Sequence, residues 1–210
     1  MVVIIDQVVK LGVKLTMQPY EEVRVLGDFF RINYIENKGA AFGLTIRDLM
    51  AKVGVSMSDE TAKLSLTMFS ILAVVVILYL LQRVRDSRTS LPHFLALILG
   101  GAIGNIVDRA FYGVWFAGIN DYEGGLLHGR VVDMFYFDLV HGNVLGLELN
   151  LLPVFNVADA AITVGIIAIV FFQRRFFRNI HEEPRLADSV AVAPPLEPGG
   201  MDEVHDRTGS

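Results

Sequence analysis

The sequence predicts an all-α integral membrane protein: four transmembrane helices, a small extracytoplasmic β-sheet and a long extracytoplasmic loop. Three observations carry this reading. Hydrophobic residues make up 53% of the 210 residues and mean hydropathy is +0.49, yet 20% of the chain is charged, so the two kinds must be segregated. Three stretches meet the roughly 20 largely apolar residues that a bilayer crossing requires. Arginines cluster in two short segments, which sets an orientation. Of the 18 Lys and Arg, two lie in residues 181–210, against seven of the 23 Asp and Glu, so the body is charge-balanced and the formal −5 belongs to the tail. The hydrophobic body excludes disorder and the absence of Cys excludes a disulfide scaffold. A pI near 5.5, with no basic stripe interleaved with aromatics, argues against a nucleic-acid partner.

The first element, MVVIIDQVVKLGVKL, places Asp6, Lys10 and Lys14 at i, i+4 and i+8 on one helical face. It is too short to span alone and lacks the basic start and small-residue cleavage site of a secretory signal. It reads as helix 1, about 1–15: the outer half of a helix whose first half is absent, or one entering at shallow depth. Segment 16–60 alternates at Val23 and Val25 and again at Phe30, Ile32 and Tyr34, with turns at Gly27-Asp28 and Asn37-Lys38-Gly39, so short strands are expected on the outer face. Helix 2 covers about 62–82 and helix 3 about 91–110. Within helix 3, GGAIG at 100–104 sits inside an apolar run instead of after a strand, and reads as a close helix-packing surface. Segment 111–152 is rich in Gly and aromatics, with Trp115, Phe116 and Tyr122 expected as interfacial anchors. Helix 4 covers about 153–173.

Segments 83–90 and 173–180 hold six Arg in sixteen residues, whereas 16–60 and 111–152 hold six Lys and Arg in eighty-seven. The Arg-rich segments are therefore expected in the cytoplasm, the long loops outside, and both termini inside. Residues 1–180 form the membrane body. The acidic Pro/Gly stretch 181–210 reads as a disordered cytoplasmic tail.

Ionisable groups inside a membrane are costly, so each is a functional candidate: Asp6, Lys10, Asp108, Arg109 and Asp159. Asp159 is expected six residues into helix 4, about 9 Å from its outer end at ~1.5 Å per residue. Asp108 lies at the outer end of helix 3, and Asp133 or Asp138 could join the same boundary. Two carboxylates sharing one proton can hydrolyse an amide without a nucleophilic side chain, one activating water and the other protonating the carbonyl oxygen. Blander readings stand beside this: Asp108-Arg109 as a structural ion pair, Asp133 as an Asp closing a turn. No HExxH, GxSxG, P-loop or Cys is present, the five His are scattered, and no metal-ligand geometry is recognisable. Neither metal nor cofactor is expected. From the residues alone the pair stays open. A non-enzymatic proton-coupled carrier or assembly factor is the alternative, although carriers place acids near the midplane and show repeats.

Five ordered boxes add specificity. DQVVK at 6–10, ENKGAAFG at 36–43, GGAIGNIVDR at 100–109, VVD at 131–133 and FNVADAAI at 155–162 resemble those of the lipoprotein signal peptidases (signal peptidase II). The resemblance implies a four-helix aspartyl endopeptidase of the bacterial inner membrane, with a β-sheet cradle and its active site near the extracytoplasmic face. Its substrate would be a diacylglyceryl-modified prolipoprotein, cut before the lipidated cysteine, with membrane lipid as the other partner and a monomer as the working unit. It implies Asp133 and Asp159 as the catalytic dyad. Asn105, Asp108, Arg109 and Asn156 would line the site, Asn37 and Gly39 would belong to the substrate-cradling loop, and Asp6 and Lys10 to a supporting polar cluster.

Twenty-one residues separate GNIVDR from VVD, longer than the family pattern, and their Trp, Tyr and paired Gly suggest a lid. Shortening 112–128 is expected to raise KM for the substrate more than it lowers kcat; steady-state kinetics showing an unchanged KM with reduced kcat would count against a lid.

Overall fold

The computed structural model describes residues 1–39, 46–138, 141–144, 147–150 and 153–172. Helix α1 is Val2–Thr16; strands β1 (Glu22–Leu26) and β2 (Phe30–Asn37) follow as a hairpin, then α2 (Ile46–Lys52) and α3 (Asp59–Arg83). Helix α4 (Leu91–Val107) runs into one turn of π-helix, Asp108–Tyr112, and a final turn α5, Gly113–Trp115. Strand β3 (Val131–Phe137), the pair β4 (His141–Val144) and β5 (Leu147–Asn150), and helix α6 (Val157–Phe172) complete the described chain.

Among the described residues, two helices are long and apolar enough to cross a membrane: Asp59–Arg83, mean hydropathy 2.6, and Leu91–Trp115, mean hydropathy 1.5. Helix α3 starts at a Ser58 cap whose side chain accepts from Thr61 N, with Asp59 and Glu60 in its first turn, favourable at the positive end of the helix dipole. Phe69, Leu72 and Val75 are each more than half exposed, a surface suited to lipid and not to water. Helix α6 is apolar but shorter within the described residues, as is α1. The Arg-rich segment 173–180 and the tail 181–210 lie outside the described residues.

The glycine run in α4 acts as a packing surface, as its place in an apolar stretch predicts. A Cβ on Gly101 would come within 2.4 Å of Ala158 O and 2.8 Å of Ile162 Cγ1 on α6. On the adjoining face, a Cβ on Gly104 would sit 2.6 Å from Asp6 Oδ2 of α1, and one on Gly100 3.0 Å from Val2 Cβ. Small residues let both neighbours approach α4 until backbone and carboxylate touch it.

The sheet caps one end of the helices. Its strand order is β1-β2-β3, antiparallel throughout, with Phe30 opposite Phe137, Ile35 opposite Asp133 and Asn37 opposite Val131. The β1–β2 turn uses Gly27 at φ +54°, where a Cβ would strain the backbone. Val13, Tyr34, Tyr112, Val132 and Met134 form the buried cluster joining α1, β2, the π turn and β3.

Three expectations require correction. Helix 3 does not stop at Ala110 but continues through the π turn to Trp115. Helix 4 begins at Val157 and not at Pro153, because Phe155 is paired into the sheet against Phe135 and Asn156 caps the helix. Asp159 is therefore its third residue, at the helix mouth, not more than a turn inside a span. Asp133 lies within β3 and closes no turn. Of the three expected interfacial anchors, Trp115 is 60% exposed, whereas Phe116 packs edge-on against Tyr112 and Tyr122 stacks on Arg130.

The segment following α5 folds back onto the π turn. Gly129 N donates to Arg109 O (2.9 Å) and Leu127 N to Ala110 O (3.0 Å), while Asn120 Nδ2 donates to Tyr112 O (3.0 Å). Arg130 pairs with Asp121 at 3.0 Å and lies 3.9 Å from the Tyr122 ring centroid. The π turn leaves carbonyls that this strap satisfies. Gly101→Leu is expected to destabilise the protein by about 1–3 kcal/mol through overpacking against α6, read as a lower thermal midpoint in detergent; an unchanged midpoint would mean that the α4–α6 approach is not tight.

Candidate active site

A wholly buried cation organises the interior. Lys10 Nζ, on the inner face of α1, lies 2.9 Å from Asp6 Oδ2, 2.9 Å from Asp108 Oδ2 and 2.9 Å from Asn105 Oδ1, which matches its three N–H donors. Lys10, Asp6 and Asp108 are all 0% exposed. Each carboxylate also accepts from a backbone N–H. Asp6 Oδ1 accepts from Ala158 N of α6 at 2.9 Å, and Asp108 Oδ2 from Val132 N of β3 at 3.1 Å. Gln7 closes the network, donating to Asp108 Oδ1 (2.9 Å), Gly104 O (3.1 Å) and Asp6 Oδ2 (3.2 Å) and accepting from Tyr112 OH at 3.1 Å.

Asp133 and Asp159 sit above this cluster and receive three asparagine side chains. In each asparagine a donor holds Oδ1, which turns Nδ2 towards a carboxylate. Asn37 Oδ1 accepts from Gly39 N at 2.8 Å and its Nδ2 reaches Asp133 Oδ2 at 2.9 Å. Asn156 Oδ1 accepts from Asp159 N at 2.8 Å, capping α6, and its Nδ2 reaches Asp133 Oδ1 at 2.6 Å. Asn105 Oδ1 accepts from Lys10, and its Nδ2 reaches Asp159 Oδ1 at 2.7 Å. The turn at Gly39 has φ +95°, a left-handed backbone that a side chain would strain, and a Cβ there would also push the Leu66 side chain aside.

Burial pushes the Asp133 carboxyl up to about 7, and the charge of Asp159 adds to the rise; hydrogen bonds from Asn37 and Asn156 and the charge of Lys10 oppose it. At neutral pH this group stands between its two protonation states while a second carboxylate acts on it, the arrangement that two-carboxylate hydrolysis needs.

All ten singled-out residues thus fall at one end of the helix bundle or in the polar cluster beneath it. Asp108-Arg109 is not the ion pair that adjacency suggests: Asp108 turns to Lys10, Gln7 and Val132 N, while Arg109 Nη1 donates to Ser70 Oγ of α3 at 2.7 Å. Asp138 does not join the site, because Arg31 Nη2 holds it 3.1 Å away at the far end of β3. Sequence reasoning passed over Gln7, Ser70 and Tyr112. Gln7 stood inside the DQVVK box, whereas no local pattern marks Ser70.

A comparison with known proteins decides the family. The profile of the family described as Signal peptidase (SPase) II matches residues 1–175. The chain belongs to the signal peptidase II family. Relatives named lipoprotein signal peptidase include one from Porphyromonas gingivalis, 35% identical over 81% of this chain and 78% of its own. Another, from Chlorobium luteolum, is 34% identical over 82% of this chain and 86% of its own, and one from Moorella thermoacetica is 33% identical over 80% and 85%. Among solved structures, a bacterial membrane enzyme determined in meso at 2.3 Å is 25% identical, with a TM-score of 0.53 over 82% of this chain and 83% of its own. Family membership makes the chain a peptidase, hence a hydrolase, and a membrane protein concerned with lipoprotein processing.

The raised Asp133 carboxyl has a consequence for stability. An unconstrained carboxyl ionises near 3.8, whereas this one keeps its proton to about 7 in the folded state. Its favourable contribution is full below the lower value and is lost as pH rises through the upper one. Between pH 5 and 8 the thermal midpoint of the native chain should fall, and Asp133→Asn should flatten that fall; equal slopes for the two proteins would show that Asp133 does not titrate there.

Proposed function

We propose that this chain is an aspartic endopeptidase that removes the signal peptide from diacylglyceryl-modified prolipoproteins, cutting before the lipidated cysteine. The observation that carries the reading is the placement of Asp133 and Asp159 at the mouth of α6, each oriented by asparagine amides that are themselves anchored. Family membership supplies the peptidase activity, and the geometry supports a route for it.

In that route a water molecule lies between the two carboxyls and the scissile carbonyl. Asp159 takes a proton from the water as its oxygen bonds to the carbonyl carbon, and Asp133 gives its proton to the carbonyl oxygen. The tetrahedral gem-diol then collapses: the leaving amine takes the proton from Asp159 as the C–N bond breaks, and one hydroxyl of the intermediate returns its proton to Asp133 as the C=O bond re-forms. The dyad ends with one proton, as it began, and its titration belongs to the pair. Asn37, Asn105 and Asn156 fix the carboxyl rotamers. Asp6, Lys10 and Asp108 hold α1, the π turn, β3 and α6 together beneath them. Arg109 and Gly39 line the approach of the substrate.

The same reading places the protein in the bacterial inner membrane as a monomer with four crossings. Both termini are cytoplasmic, the sheet and the dyad lie at the extracytoplasmic face, and lipid borders the site. Both aspartates emerging at one end of the helices support that placement, since a midplane site would suit a carrier better. The tail 181–210 is dispensable for activity.

Purified full chain should cleave a diacylglyceryl-modified prolipoprotein, and Asp133→Asn and Asp159→Asn should each lower kcat by about 10²–10⁴-fold, the usual share of general acid–base catalysis. The rate should fall as pH rises above about 7, where Asp133 loses its proton. Near wild-type turnover in either variant would sink the dyad.

A further inference from the structure

A second buried ion pair lies outside the dyad and its Lys10 cluster. Lys14, one turn beyond Lys10 on α1, pairs with Glu36 of β2; the side chains are 1% and 5% exposed. Tyr34, on the same strand and 2% exposed, donates its hydroxyl to Glu36 Oε1 at 2.6 Å and accepts from Lys14 Nζ at 3.3 Å. Burial and the neighbouring Glu36 push the Tyr34 hydroxyl above its usual range, so it remains a donor. The Lys14 ammonium also lies 5.2 Å from the Phe116 ring centroid, on the strap that follows α5. Nothing in the two-aspartate route uses this group of three.

Its position on β2 gives it a use. Tyr34 and Glu36 are two apart and share one face of the strand, while Asn37, the next residue, points to the other face, where it donates to Asp133. Glu36 stands opposite Val132 in the sheet register, the residue whose N–H is bound by Asp108. The ladder is irregular between Ile32 and Ile35, and beyond it Ile35, Glu36 and Asn37 pair with Asp133, Val132 and Val131, which fixes the register of this end of β2 on β3. An anchor on the α1 side of the strand adds a second constraint on where the Asn37 amide arrives.

We propose that the Lys14–Glu36–Tyr34 group is a positioning device, which docks the end of β2 on α1 and so holds the Asn37 amide on the Asp133 carboxyl. The inference rests on the two-aspartate reading for its bearing on catalysis, though not for its bearing on geometry. Lys14, Glu36 and Tyr34 act through Asn37 and touch no reacting atom.

The readout is the titration of Asp133 itself. Groups acting on that carboxyl are Asp159 on α6, Asn156 at its cap, Lys10 on α1, Arg109 in the π turn and Asn37 on β2; only the last is carried by the strand that Lys14 anchors. A hydrogen bond from Asn37 favours the ionised form, so its loss raises the midpoint. In full-length protein in detergent, the carboxyl stretch of Asp133 is followed by infrared titration, with Asp133→Asn assigning the band. Glu36→Gln and Lys14→Met should each move the midpoint up by about half to one pH unit, the worth of one net hydrogen bond. Asn37→Ala should do the same, and Glu36→Gln combined with Asn37→Ala should move it no further than Asn37→Ala alone. Lys14→Arg, which keeps the cation, should restore the native midpoint and covers the case in which Lys14→Met does not fold. The alkaline limb of kcat/KM should follow the same order.

A native midpoint in Glu36→Gln and Lys14→Met, or shifts that add to that of Asn37→Ala, would overturn the positioning role and leave only a contribution to stability. A shifted infrared midpoint with full turnover in Asp133→Asn would instead overturn the two-aspartate reading and leave the geometric inference standing.

Discussion

The structure depends on one buried ammonium. Lys10 satisfies its three donors on Asp6, Asp108 and Asn105, and through those three it reaches the N-terminus of α6, the edge of β3 and the amide that orients Asp159. Removing one member of such a group strands the others without solvent, a loss of about 3–5 kcal/mol for a buried pair. Charge and geometry are thus linked: the cation that makes the supporting acids tolerable also turns Asn105.

Small residues make that arrangement possible. Gly101 and Gly104 bring α6 and α1 against α4, so Asp6 can reach a backbone N–H on α6 while remaining in contact with Lys10 on its own helix. The π turn at Asp108–Tyr112 then offsets the end of α4, placing Asp108 under β3 and sending Arg109 to Ser70 on α3. A regular helix would carry adjacent residues with the usual 100° of rotation; here the wider turn and the strap hydrogen-bonded to it hold two neighbours to separate partners.

In the proposed two-aspartate route the sheet assembles the site by crossing the helix ends: β3 brings Asp133 over the mouth of α6, and β2 brings Asn37 to it. Asp159, the third residue of α6, has its backbone N–H held by the capping Asn156, which at the same time donates to Asp133. One asparagine therefore couples a helix terminus to the partner carboxyl, and the two acids share an orientation device as well as a charge interaction.

Much of this was legible in the sequence. Apolar runs marked α3 and α4, alternation marked the β1–β2 hairpin, the i, i+4, i+8 spacing put Asp6, Lys10 and Lys14 on one buried face, and the glycine run announced close packing, because each is a local consequence of helix or strand periodicity. The five boxes resembled one family, and the profile match shows that family. What the chain could not disclose is how those residues pair. Asp108 looks like the partner of Arg109 and is not; Asp133 looks like a turn residue and lies in a strand; Asp159 looks embedded and lies in the first turn of α6, at its sheet-facing end. The Lys14–Glu36 pair, spanning helix and strand, had no local signal at all. Periodicity determines which face of an element is buried, whereas the partner a buried charge finds there depends on which elements meet, and only the tertiary structure decides that.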